Sequence, residues 1–154
     1  MSMELQKMKA VIVTPPVAIV DNAAAATTAI DTFGCEEVAI YVVFGAMDIA
    51  VTDMKVRESD ASNMGSPNDI TGLVWGTSTN PDSGATSSVP IGTSDNTIWA
   101  AFIKLGNGRK RYIDIEITLG DGSAGTYATA IAILKPKVAP STAALRGLSQ
   151  NLIA

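Results

Sequence analysis

Arg111-Tyr112-Ile113-Asp114-Ile115-Glu116-Ile117-Thr118-Leu119 alternates apolar and polar residues without a break from Tyr112 onward. Ile113, Ile115, Ile117 and Leu119 share one parity, and Tyr112, Asp114, Glu116 and Thr118 the other. Successive strand side chains point to opposite faces, so this segment reads as a strand with one buried and one solvated face. Gly106-Asn107-Gly108 precedes it and Gly120-Asp121-Gly122 follows it. Both triplets tolerate positive φ, and they read as hairpin turns to strands at 97–105 and 126–134.

The same reading extends toward the N-terminus. Residues 37–44 are apolar on both parities, with Val38, Ile40, Val42 and Phe44 on one face and Ala39, Tyr41 and Val43 on the other. That pattern predicts a central strand covered on both sides. Residues 49–58 change parity across Asp53, which predicts a β-bulge. Residues 70–75 form a short strand, and 11–14 and 17–20 are extended pieces hinged by Pro15-Pro16. Thr27, Thr28 and Ile30 turn an alanine-rich stretch, 23–29, toward strand rather than helix. Residues 59–68 and 76–96 are loops, and the second is long enough to suggest binding.

About eight strands without a long helix predict an all-β, single-domain β-sandwich of jelly-roll type with extended N- and C-terminal arms. The expected division is 1–20 for the N-terminal arm and first edge strand, 21–135 for the sandwich, and 136–154 for the C-terminal arm. At 154 residues the chain can bury a real core without disulfides or a metal.

Composition narrows the function. The chain has no His, one Cys (Cys35) and 17% charged residues, against 47% hydrophobic. His is the side chain that titrates near neutral pH, so a Ser-His-Asp triad is excluded. A single Cys gives no internal disulfide and no Cys-based zinc site. The net charge of −4 argues against nucleic acid as the main partner. Lys135, Lys137 and Arg146 are the charges after Asp121, so residues 122–154 carry +3 and the first 121 carry −7.

No apolar run is long enough for a membrane helix. Lys7, Lys9 and the apolar stretch 10–20 imitate a secretion signal. Pro15-Pro16 and Glu4 argue against that, leaving cytoplasmic synthesis as the expectation.

Gly120-Asp121-Gly122-Ser123-Ala124-Gly125 matches a dinucleotide fingerprint, but Pro136 arrives too early for the required helix and no acid follows for the ribose. A turn is the better reading. Asp114 and Glu116, roughly 7 Å apart along one strand face, have a spacing that glycosidase chemistry can use. Two acids on a solvated face are far commoner. Arg109-Lys110-Arg111 suits a phosphate, a solvated turn or an ion pair with a neighbouring subunit. Trp75 and Trp99 suit a sugar-stacking platform or core and interface packing. The expectation is therefore no catalytic residue, no metal and no cofactor.

Several segments together carry a resemblance. They are residues 14–22 (TPPVAIVDN), 76–80 (GTSTN), 108–112 (GRKRY), 120–127 (GDGSAGTY) and 138–147 (VAPSTAALRG). This layout resembles that of capsid decoration, or cement, proteins of tailed bacteriophages and prophages. The resemblance implies a structural virion protein, a homotrimer on the capsid exterior that clamps neighbouring major capsid subunits. Neither nucleic acid nor membrane is an expected partner. Candidate interface residues are Pro15, Pro16, Arg109, Arg111, Leu145, Arg146, Leu148 and Leu152, with the C-terminal arm expected to order only against a neighbouring subunit. The alternative is a carbohydrate- or receptor-binding β-sandwich of a phage tail or fibre, using Trp75 or Trp99 and the 76–96 loop.

Overall fold

The computed structural model describes residues 4–16, 19–106, 108–150 and 152. Val17 and Ala18 of the expected second extended piece, Asn107 of the first glycine turn and Ile153 of the tail lie outside them. The strands are β1 (Lys9–Thr14), β2 (Ile30–Asp31), β3 (Cys35–Phe44), β4 (Val51–Ser59), β5 (Asn68–Val74), β6 (Ile98–Lys104), β7 (Tyr112–Leu119) and β8 (Ala128–Pro136). Single 3₁₀ turns occupy Glu4–Lys7 and Ala144–Arg146.

Two antiparallel four-stranded sheets result, sheet I in the order β1-β8-β3-β6 and sheet II in the order β2-β7-β4-β5. The pairs 1·8, 2·7, 3·6 and 4·5 nest within one another, which is the pairing of a rolled-up antiparallel ribbon, the jelly roll. The core lies between the sheets. Val38, Ile40, Val42 and Phe44 of β3 face Met54 and Val56 of β4 and Ile113, Ile115, Ile117 and Leu119 of β7, all buried. Each fully buried side chain of this size contributes about 1.5–3 kcal/mol.

The nesting corrects the turn assignment. β6 belongs to sheet I, β7 to sheet II and β8 to sheet I, so neither glycine turn closes a hairpin. Both carry the chain across the sandwich, and β4–β5 is the one consecutive pair that shares a sheet. Gly106 and Gly108 do adopt positive φ, as their sequence demands, but a corner between sheets uses that conformation as readily as a hairpin does.

The bulge is present: Val51 pairs with Leu119 and Asp53 with Thr118, a shift centred on Thr52 that turns both Val51 and Met54 inward. The strand expected at 23–29 is not regular. Ala24 makes one bridge to Thr118, Ala25 donates its N–H to Ile117, and only Ile30–Asp31 pairs as β2. These small side chains let the segment follow β7 without forming a ladder of their own. β3 is central, between β8 and β6, but it is not covered on both sides: Val43 lies open on its outer face.

Candidate interaction surface

Strand register assembles the outer face of sheet I. One row runs Thr129, Val43, Ile98; the next Ile12, Ile131, Tyr41, Ala100; the third Ala10, Ile133, Ala39, Phe102. Ten of these eleven positions are apolar. Phe102 is 69% exposed, Ile98 68% and Ile12 59%. The Phe102 ring meets Tyr41 edge-on at 6.0 Å, which fixes its orientation. A charged row, Lys135, Glu37 and Lys104, closes one end. Strand spacings of about 4.8 Å across and 6.7 Å along give this face roughly 350 Å².

At the edge of the same sheet a cleft of about 860 Å³ opens between β5 and β6. It is lined by residues 72–75, 78–82, 87–88 and 98–102, so both Trp75 and Trp99 converge there with the 76–96 loop, where the carbohydrate-binding alternative needs one of them. Both indoles are half-buried against the core, and Trp99 Nε1 donates to Thr97 Oγ1 at 3.0 Å. The loop is self-bonded: Asn80 N–H donates to Ala85 O and Ser87 N–H to Ser78 O.

The carboxylate pair is tied up. Asp114 pairs with Arg57 through Nε–Oδ1 at 3.1 Å and Nη2–Oδ2 at 2.8 Å, while Nη1 meets Glu116. Lys55 Nζ lies 3.3 Å from Glu116 and 2.8 Å from Asp53. Asp114 points away from the core, as alternation required, yet is buried beneath Arg57. The Asp114 hydrogen bonds hold the Arg57 pKa above its ordinary value, against the opposing effect of burial. The carboxylates sit in a structural ion cluster, not on the open solvated face the sequence implied.

The GDGSAG loop is an anion cradle filled from within. Ser123 and Ala124 N–H groups donate to Asp48 Oδ2 at 2.6 and 2.5 Å, and Gly122 N–H to Asp21 Oδ1 at 2.8 Å. The Ala124 N–H, followed by those of Ser123 and Gly125, lowers the Asp48 pKa. A Cβ on Gly122 would overlap the Asp48 carboxylate.

The expected interface residues fall into two groups. Arg111 grips Asp31 with both arms of its fork, at 2.8 and 2.7 Å, and lies over the exposed Phe33 ring. Arg109 reaches Glu58 at 3.5 Å and Lys110 reaches Asp60 at 3.4 Å. The basic run is thus paired within its own chain. Arg146, a candidate interface residue from sequence, donates from Nε to the Gln6 carbonyl at 2.6 Å, and Gly147 packs on the Ala10 carbonyl. The 144–147 turn therefore docks on its own chain at the start of β1, the end away from Pro15 and Pro16. Leu145, Leu148 and Leu152 remain exposed. Ile12, Val43, Ile98, Phe102 and Ile131 were missed as surface residues because an apolar outer parity reads equally well as burial.

Among the described residues no group of His, Cys, Asp and Glu is placed to hold a metal ion, and no helix is long and apolar enough to cross a membrane. No family model and no curated protein matches the sequence. Among solved structures, the chain is similar to the crystal structure of the SPBc2 prophage-derived protein YomS, at 11% identity and a TM-score of 0.44, covering 82% of this chain and 91% of that one.

Proposed function

We propose that this chain is a non-enzymatic structural protein of a phage particle, a decoration protein that binds the exterior of the head as a homotrimer and bridges major capsid subunits. The observation that carries the reading is the apolar outer face of sheet I. Its roughly 350 Å² is no larger than the main patch of many monomers, which is often functional; the exposed Phe102 and Ile98 on a rigid sheet, with a charged row at one end, favour a protein partner. The resemblance of the sequence layout to decoration proteins suggests the kind of partner. The Arg57 clamp on Asp114 and Glu116 favours a structural over a catalytic use of the carboxylates.

The face is less than half of the roughly 800 Å² that each partner gives to a standard interface. A stable complex therefore recruits further surface, and the exposed arm residues Leu5, Val138, Leu145 and Leu152 are available. Co-sedimentation with phage heads tests the reading. The native chain should pellet with heads and scatter light as a trimer. The double variant Phe102→Lys/Ile131→Lys should stay folded and lose most of that binding. A chain that never pellets with heads, or a double variant that pellets unchanged, overturns it.

A further inference from the structure

A sheet edge exposes unpaired N–H and C=O groups, and proteins protect such edges with short strands, bulges, Pro, charge or a covering segment. Three of the four edges here are protected. β1 has a register shift after Ile12, ends at Pro15-Pro16 and carries the docked 144–147 turn. β2 is two residues long. β5 contains Gly72 at positive φ, breaks register against β4 and carries Asp69.

β6 has none of these devices. It pairs with β3 through seven consecutive residues without a shift, contains no Gly or Pro, and carries its one charge at the terminal Lys104. Among the described residues, no backbone hydrogen bond outside the β3 pairing reaches Ile98–Lys104. The cleft lies along this same edge. Five consecutive residues, 98 to 102, line it, so the strand's backbone and not just one face of its side chains meets the open space.

We propose that the free edge of β6 accepts an extended segment of a partner protein as a fifth strand of sheet I, seated in the cleft. Main-chain hydrogen bonds supply affinity in such strand addition, and alternate side chains supply specificity. Five residues of edge span about 14 Å, so the segment is short. Its inward side chains are apolar, because they meet Trp75 and Trp99. Among the described residues Asp82 is the one charged residue lining the cleft, so the segment is otherwise neutral and carries one cation.

The occupant is another protein rather than a second copy. This chain's own C-terminal arm turns at Ala144–Arg146 and is engaged on the N-terminal segment of the same chain through Arg146 and the Gln6 carbonyl. Its N-terminal counterpart is already β1. The proposal goes beyond the capsid reading, since it specifies a mode of recognition that holds whatever particle supplies the strand.

The test uses the full chain and a synthetic acetylated, amidated peptide, Arg-Thr-Val-Thr-Val-Thr-Val. Hydrogen exchange should show new protection of the 98–104 amides on peptide binding. Two analogues, N-methylated at alternate residues on one edge or on the other, separate main-chain pairing from apolar contact. One should bind at least about tenfold more weakly than the parent and the other about equally, because only one peptide edge faces β6. Asp82→Ala should weaken the parent peptide about two- to fivefold.

No change in the exchange of 98–104 at millimolar peptide, or equal affinity of both analogues, overturns the proposal. So does quenching of Trp75 and Trp99 by an oligosaccharide that displaces the peptide, which would assign the cleft to sugar. Protection of 98–104 in the free chain that disappears on dilution would assign the edge to a second copy and overturn it as well.

Discussion

Replacing Arg57 by Met tests the ion cluster on sheet II, because it removes the cation and leaves the buried carboxylate in place. The Asp114 side chain is 3% exposed and Arg57 is 20% exposed. Beyond the guanidinium, the one side-chain donor to Asp114 among the described residues is Thr27 Oγ1 at 3.5 Å. Breaking a buried pair by removing one partner costs about 3–5 kcal/mol, because the other charge stays desolvated. Arg57 is partly reached by water, so the low end applies, about 3 kcal/mol. In a domain of this size that is a drop in Tm of roughly 6–12 °C.

The double variant Arg57→Met/Asp114→Leu removes both charges and should lose about 1 kcal/mol or less, leaving Glu116 to Lys55. Urea unfolding of the native, single and double variants at about pH 7 measures the cycle. A single variant within about 1 kcal/mol of native at pH 7, or a double variant as unstable as the sum of its singles, refutes the reasoning.

Three further outcomes are expected. Gly122→Ala should cost about 1–3 kcal/mol in urea unfolding through its overlap with Asp48, and much less in an Asp48→Ala background. The Arg111 fork holds the Asp31 pKa down to about 2; NMR titration should find this depressed midpoint. Its stabilisation should be complete above about pH 4 and lost as pH falls through 2. The half-exposed pair should contribute no more than about 1 kcal/mol. Deleting 138–154 should leave a folded sandwich by circular dichroism while exchange of the β1 amides accelerates and head binding weakens. Loss of folding would show that the tail belongs to the core.

β7 and the β4 bulge were legible because alternation is a local property that burial enforces directly. Ile113, Ile115 and Ile117 have to face one way, and the parity change at Asp53 can be resolved only by an extra residue. Sheet membership is not local. Gly106, Gly108 and Gly120-Asp121-Gly122 satisfy the chemistry of a tight turn, but whether the next strand pairs with the last or crosses to the other sheet depends on β3 and β4, far away in sequence. The ion cluster was hidden for the same reason. Arg57 opposes Asp114 and Lys55 opposes Glu116 across the β4–β7 register, a pairing that no spacing within either strand reveals.

The nested pairing also explains why the candidate surface lies where it does. β5 ends at one edge of sheet II and β6 begins at the corresponding edge of sheet I, so the chain has to cross the mouth of the sandwich between them. Residues 76–96 make that crossing, and their Ser, Thr, Asn and Gly content lets them bond to one another and, through Ser78, to Val74 at the end of β5, while among the described residues none of their backbone bonds reaches β6. Had the loop added a strand to β6, the edge would be closed and no cleft would remain. Because its turns at 78–87 are internally satisfied, it stands beside the edge as a wall while Trp75 and Trp99 pack against the core between them. The long polar loop that sequence marked for binding serves chiefly as that wall, and the recognition surface it borders is the backbone and outer face of an apolar strand.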